Sequence, residues 1–227
     1  MAERFRIPFI HHVAKGRFLY LLITLLLYVA LVPLLEAFVK LRLLMNIFFT
    51  ATMLAGIYAV SQKRNQFLPA LIIAIPTIGL GWINQFVQSA LLTFADNFFT
   101  ILFLGFFIAI LLLTIFEAHE ITTDIIYAAI VGYLFIGLMW ASVFAILEKF
   151  FPGSFTGSQD FTMQTFTYFS FVTLTTLGYG DIAPLTVQAR SFAFIEAVIG
   201  QIYLTVLIAR IVGIHISQSM EKRSREG

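Results

Sequence analysis

The chain has 227 residues, of which 60% are hydrophobic and 11% are charged, and its formal net charge is +2. Soluble domains average roughly 45–50% apolar and about 25% charged residues, so this composition excludes a soluble globular protein. The sequence has no cysteine, which excludes disulfides and thiolate metal sites, and its small net charge does not indicate nucleic-acid binding. We therefore expect an all-α integral membrane protein.

Six apolar runs are long enough to cross a bilayer, whose hydrocarbon core of ~30 Å requires about 20 helical residues. They lie at residues 18–35, 41–60, 67–90, 98–116, 121–147 and 190–216. A seventh stretch, residues 160–174, is rich in Thr and Phe and too short to cross. We predict that it enters the membrane as a helix and that the chain returns to the same side, which is tolerated where the backbone is buried in protein.

The distribution of Lys and Arg predicts the orientation of the chain. With both termini and the 60–66 loop in the cytoplasm, nine basic residues lie inside and four lie outside. The fourth run, 98–116, contains no Lys or Arg. Each charge that crosses the membrane field contributes only ~2.3 kcal/mol per 100 mV, so steep voltage gating requires several. We therefore interpret the first four helices as a packing scaffold and not as a voltage sensor.

The most specific motif is the string Thr-Leu-Thr-Thr-Leu-Gly-Tyr-Gly-Asp at residues 173–181, between the short helix and the last apolar run. Gly178 and Gly180 permit backbone angles that other residues adopt at a cost. The string resembles the selectivity filter of tetrameric potassium channels, in which backbone carbonyls replace the hydration shell of K⁺. Residues 121–216 as a whole resemble the pore module of that superfamily.

This resemblance implies an outer helix, a pore helix, a filter and an inner helix behind a four-helix front domain, as in six-helix voltage-gated-like bacterial channels. It implies a non-enzymatic homotetramer in membrane lipid that conducts K⁺, with K⁺ ions in the filter and no organic cofactor. The functional positions that it implies are K⁺-binding Thr176, Leu177, Gly178, Tyr179 and Gly180, an outer mouth at Asp181, and a hinge at Gly200. Gly200 can also be read as a small residue that permits close helix packing.

Four domains are expected on this basis. They are a basic, interfacial or cytoplasmic amino terminus (1–17), a sensor-like front domain (18–116), a pore domain (117–216) and a short cytoplasmic tail (217–227). The expected location is a plasma membrane, and the compact form suggests a prokaryotic inner membrane.

Two positions of the pore helix depart from the family pattern. Tyr168-Phe169 stands where relatives often carry two tryptophans, so Phe169 cannot donate a hydrogen bond to the filter tyrosine. Val172 stands where some bacterial channels have a carboxylate that pairs with the filter aspartate. We expect the residues that support the filter from behind to differ accordingly.

The last apolar run carries polar residues on two faces, as judged at roughly 100° per residue. One face, with which relatives line their inner cavity, holds Gln201, Leu204, Ile208, Val212 and His215. Glu196 and Arg210 lie nearly opposite. We expect Glu196 to hydrogen-bond to the pore helix through Thr165, Thr167 or Ser170. For Arg210 two alternatives stand: an ion pair with Glu117, Glu120 or Asp124, or an extended side chain that reaches the lipid headgroups.

Histidines raise the question of proton sensing. In a tetramer, four copies of His215 near the cytoplasmic mouth would repel one another when protonated near pH 6.5 and widen the mouth. If His215 faces the headgroups instead, His119 becomes the candidate. The cluster of Glu117, His119, Glu120 and Asp124 is either a divalent-metal or proton site or, more commonly, a solvated interfacial turn.

Two other functions remain as alternatives. A poorly selective cation channel of the same fold is disfavoured by the intact Leu-Gly-Tyr-Gly at residues 177–180. A potassium transporter subunit is disfavoured because such proteins resemble four pore repeats in one polypeptide, and this chain holds one.

Overall fold

The computed structural model describes residues 16–36, 42–61, 64–87, 89–158 and 160–226. These residues form seven helices: α1 (Arg17–Glu36), α2 (Arg42–Val60), α3 (Arg64–Phe86), α4 (Ala90–Glu117), α5 (Thr123–Phe150), α6 (Met163–Leu174) and α7 (Val187–Glu226). Two short strands, β1 (Phe155–Thr156) and β2 (Ala183–Pro184), pair antiparallel on either side of α6 in the sequence. The expected all-α class is confirmed.

Four helices are long and apolar enough to cross a membrane: α3, α4, α5 and the part of α7 up to Met220. The described apolar parts of α1 and α2 are shorter, at Arg17–Ala30 and Asn46–Val60. The chain is therefore a multi-pass membrane protein, and the first two of the six predicted spans remain predictions. Most of the predicted basic amino terminus, including His11 and His12, lies outside the described residues.

The predicted boundaries of the third, fourth and last helices differ from those in the structure. The Ser89 hydroxyl accepts a hydrogen bond from the Leu92 N–H and caps α4, so this helix starts at Ala90 and not near residue 98. The third apolar run, predicted to reach residue 90, correspondingly ends as a helix at Phe86. The segment 217–226, predicted to be a tail after the last span, continues α7 as helix to Glu226.

The front domain (α1–α4) packs against the outer helix α5 through one continuous apolar core. Phe103 and Phe107 on α4 and Phe135 on α5 are fully buried in it, and the rings of Phe107 and Phe135 meet edge to face at 6.2 Å. Aromatic pairs of this geometry contribute ~0.5–1.5 kcal/mol beyond the area that they bury. The front helices thus hold the outer helix of the pore module along its length.

Polar side chains link the front helices near the ends that adjoin the filter. Asn46 on α2 donates to Gln85 on α3, and Trp82 donates to the Thr50 hydroxyl. These two hydrogen bonds connect α2 to α3.

Candidate ion-conducting site

The pore helix α6 starts at a capping box. The Thr162 hydroxyl accepts from the Thr165 N–H, and the Thr165 hydroxyl accepts from the Thr162 N–H. This reciprocal cap satisfies two backbone donors at the helix start and places it at Met163, three residues after the predicted residue 160. The helix ends at Leu174, as predicted, and delivers the chain directly to the filter sequence.

The filter backbone alternates between left-handed and ordinary angles. The φ angles of Thr176, Gly178 and Gly180 are +59°, +61° and +76°, while the two intervening residues stay at negative φ. Among the described residues, Thr176 is the single non-glycine residue with a positive φ, which is an outlier for a β-branched side chain. Alternation of this kind turns successive carbonyls toward one side, as the glycine spacing predicted.

The carbonyl oxygens of this segment are available to a ligand. The Val172 carbonyl accepts from both Leu177 N–H (3.0 Å) and Gly178 N–H (3.2 Å), so the filter amides face the pore helix. Within the described chain, no hydrogen bond ends on the carbonyls of residues 176–179. These residues are also exposed in the single chain. Such a row of unpaired oxygens can replace the water shell of a monovalent cation.

Tyr168 supports the outer end of the filter. Its hydroxyl donates to Asp181 Oδ2 at 2.7 Å, linking the pore helix to the residue that follows Gly180. This hydrogen bond raises the pKa of the Tyr168 phenol above its usual value because it stabilises the protonated donor. The sequence identified Tyr168 only as a departure from tryptophan. The available signal was that a tyrosine hydroxyl, like an indole N–H, can donate a hydrogen bond.

We expect Tyr168→Phe to weaken the filter without unfolding the protein. Solvent screens this exposed hydrogen bond, so its loss should leave the protein folded while the current inactivates faster. Inactivation after a rapid K⁺ concentration step measures this. The exposed Tyr20→Phe is the matched control, and equal behaviour of the two variants would contradict the role of Tyr168.

The loop between α5 and α6 packs under the filter exit. The Glu148 carboxylate accepts from the N–H groups of Gly153, Ser154 and Phe155 at 2.7, 2.9 and 3.2 Å. Gly157 lies so near the filter exit that a Cβ there would fall 1.7 Å from the Asp181 carbonyl oxygen. The loop therefore fixes the chain directly after the filter, a role that the sequence analysis did not assign to Glu148 or Gly157.

Behind the pore helix, a buried carboxyl group joins the pore helix to the inner helix. Ser170 and Glu196 are both fully buried, and the Ser170 hydroxyl contacts Glu196 Oε1 as well as the Gly137 carbonyl oxygen, the latter at 2.7 Å. The predicted hydrogen bond of Glu196 to the pore helix is thus confirmed at Ser170. The Ser170 hydroxyl is the donor in both contacts, so its single proton is shared between the Glu196 carboxyl and the Gly137 carbonyl oxygen.

Comparison with known proteins agrees with this geometry. The family model described as an ion channel matches residues 125–216, which span α5 to α7. Protein LctB of Bacillus caldotenax is 31% identical over 101 residues, covering 41% of this chain and 75% of that protein. The chain belongs to this ion channel family.

A second relative is the two-pore potassium channel 5 of Arabidopsis thaliana, which is 29% identical over 79 residues, or 35% of this chain. The matched part covers 19% of that protein, so this ion channel chain spans about a fifth of its plant relative. No solved structure matches the chain.

In this channel, Gly200 is a close-packing position. A Cβ there would lie 2.7 Å from Leu174 Cδ1 and 2.8 Å from the Leu174 carbonyl oxygen. Leu174 is the last residue of the pore helix, directly before the filter segment. Helix α7 is unbroken through Gly200. The structure therefore supports the reading of Gly200 as a small packing residue, and the hinge remains a prediction.

Gly200→Ala separates these two readings by the sign of its effect on stability. Contact with the Leu174 backbone should lower the melting temperature of the protein, because neither backbone can move freely. If Gly200 acts only as a hinge, the alanine variant should instead be more stable by up to about 1 kcal/mol, because alanine has the higher helix propensity. Its open probability alone should fall. Gly213→Ala, on the same helix with nothing within 4 Å of its Cβ, is the control. An unchanged or raised melting temperature of Gly200→Ala would contradict close packing.

Arg210 contacts backbone carbonyls, which neither predicted alternative included. Its Nη2 donates to the Phe116 and Ala118 carbonyl oxygens at 2.7 and 2.9 Å, at the carboxyl end of α4. A guanidinium there satisfies terminal carbonyls and interacts favourably with the helix dipole. The proposed partner Asp124 instead lies 3.8 Å from Arg17 Nε, which joins α1 to α5.

The remaining predicted gating residues are not gathered into a site. Glu117, His119 and Glu120 are exposed in or beside the α4–α5 link. No group of three His, Cys, Asp or Glu residues suited to a metal occurs in the described part of the chain. His215 is exposed on α7, where its carbonyl accepts from the Ser219 hydroxyl.

The predicted cavity face of α7 is largely uncovered in the single chain. Gln201, Ile208, Val212 and His215 are exposed, and Leu204 is half-buried against the core behind the pore helix. These positions therefore remain free to face a central cavity, which stays a prediction.

Proposed function

We propose that this chain forms a K⁺-selective channel that conducts passively down the electrochemical gradient. The observation that carries the proposal is the left-handed angle at every second residue from Thr176 to Gly180, combined with unpaired carbonyl oxygens at residues 176–179. Rings of such oxygens bind dehydrated K⁺ in potassium channels. The filter residues Thr176, Leu177, Gly178, Tyr179 and Gly180 would hold the ions, and Asp181 would attract cations to the outer mouth.

The proposed assembly is a homotetramer. One filter strand offers oxygens from one side only, whereas a dehydrated ion requires a closed ring of them. The exposure of residues 175–181 in the single chain supports this assembly, because an irregular backbone at membrane depth must be buried against protein or a water path. We further propose a plasma-membrane location with both termini in the cytoplasm, as the excess of Lys and Arg on that side indicates.

Gating by the front domain should be at most weakly voltage-dependent. The whole of α4, Ala90–Glu117, contains no Lys or Arg, so a movement of this helix would transfer no positive gating charge. We expect a shallow conductance–voltage relation in planar bilayers. A steep relation, equivalent to several charges per subunit, would contradict this expectation.

Two measurements on the purified protein in lipid nanodiscs and liposomes test the proposal. Native mass spectrometry should give four copies of the 25.6 kDa chain. Liposomes loaded with K⁺ should release it when a protonophore balances the charge, and liposomes loaded with Na⁺ should not. A stable monomer, or equal release of the two ions, would overturn the proposal.

A further inference from the structure

A polar cavity lies between the front domain and the pore module. Its volume is about 720 Å³, and its walls come from all four front helices, the outer helix and the start of the pore helix. Its lining comes from the first half of α2 and α4, the second half of α3 and α5, the start of the pore helix, and Tyr28 on α1. Volumes of 300–1,000 Å³ are typical of sites for drug-sized ligands.

One wall of this cavity carries a half-buried acidic side chain. Asp96 on α4 lies six residues after the helix start, roughly 9 Å along the axis. Its Oδ2 accepts from the Asn84 amide at 3.1 Å, and the described chain provides no ion pair to it. At the rim, Lys149 is exposed, and the Glu148 carboxylate is engaged by the loop amides. The cavity thus presents one carboxylate without a cationic partner.

The remaining walls favour an organic cation over a metal ion. Aromatic rings of Tyr28, Phe49, Phe161 and Phe166 line the cavity together with amide and hydroxyl groups. Aromatic faces attract ammonium groups, and a carboxylate provides a charge-assisted hydrogen bond to them. A divalent metal requires about six oxygen ligands, often from several carboxylates, and no such cluster is present among the described residues.

We propose that this cavity, centred on Asp96, is a binding site for a small organic ammonium ion with an apolar body. The ammonium group contacts the Asp96 carboxylate, and the apolar body lies among the aromatic walls. The ligand then also touches Thr162 and Met163, where the pore helix starts. The site is distinct from the filter mouth at Asp181.

Binding can be measured without ion flux, so its outcome is independent of the proposed channel activity. The probe is 4-fluorobenzylammonium, observed by ¹⁹F NMR with the assembled protein in zwitterionic-lipid nanodiscs, and empty nanodiscs correct for partition into lipid. We expect saturable binding that Asp96→Asn weakens at least tenfold. The isosteric amide keeps the shape of the side chain and removes its charge. The uncharged 4-fluorobenzyl alcohol should show no saturable binding.

Two further variants complete the test. Asp181→Asn should bind the probe like the wild type, because it alters only the filter mouth. Ala145→Phe fills the cavity from α5 while Asp96 is retained, and it should abolish binding even if Asp96→Asn fails to assemble. The proposal would be overturned if Asp96→Asn or Ala145→Phe bound the probe undiminished. It would also be overturned if the alcohol bound equally well, or if Asp181→Asn alone lost binding.

Discussion

Replacing Gly178 by alanine should abolish K⁺ flux while the tetramer still assembles. The φ angle of Gly178 is +61°, and a Cβ there would meet no atom of its own chain within 4 Å, so the effect comes from the backbone. Left-handed angles cost an L-residue roughly 1–2 kcal/mol, or about 4–8 kcal/mol over four subunits. Relief of this strain would turn the carbonyls away from the axis, and liposome flux would report the loss.

A matched variant separates filter strain from general backbone strain. Gly153 in the outer loop has a φ of +82° and equally open space around its Cβ, but it offers no carbonyl to the conduction path. Gly153→Ala should therefore retain K⁺ flux at a similar cost in stability. Selective flux in Gly178→Ala, or an equal loss in Gly153→Ala, would contradict the filter assignment.

Glu196→Lys should prevent assembly, whereas Glu196→Gln should leave a selective, assembled channel. The side chain at this position is fully buried, and an unpaired ammonium there would cost several kcal/mol per subunit. Glutamine is neutral and has nearly the same shape, and its amide oxygen can accept from the Ser170 hydroxyl as Glu196 Oε1 does. The measurements are the tetramer fraction in size-exclusion chromatography and K⁺ flux in liposomes.

The exposed Glu120 provides the control for the same charge changes. Glu120→Lys and Glu120→Gln should both assemble and conduct, because solvent screens the altered charge. If Glu196→Gln were as damaging as Glu196→Lys, the loss would not come from the buried charge of lysine, and this explanation of the Glu196→Lys defect would be wrong.

Local features of this channel could be predicted from its sequence. The positive φ angles of Gly178 and Gly180 follow from the glycine spacing, whereas that of Thr176 does not follow from the residue type. The long helices follow from hydropathy. Hydropathy did not locate the start of α4, because the Ser89 cap fixes that start and polar residues near Asp96 interrupt the apolar pattern. Nor did it detect the continuation of α7, which helix propensity sustains beyond the apolar run.

Contacts between residues distant in the chain could not be predicted as well from the sequence. The Tyr168–Asp181 hydrogen bond joins two exposed polar residues thirteen positions apart, and it depends on how the filter folds back past the pore helix. For Arg210 the sequence suggested either acidic side chains or lipid headgroups, yet its acceptors are backbone carbonyls, which carry no side-chain signature in a sequence. The cavity around Asp96 required the mutual placement of six helices, so no single segment indicated it.

The most direct test of the filter is the reversal potential of the purified channel in a planar bilayer with K⁺ on one side and Na⁺ on the other. Carbonyl rings spaced for dehydrated K⁺ should make the current reverse far from zero, at a potential that follows the K⁺ concentration when it is varied. A reversal potential near zero that does not move with K⁺ would contradict a K⁺-selective filter at Thr176 to Gly180.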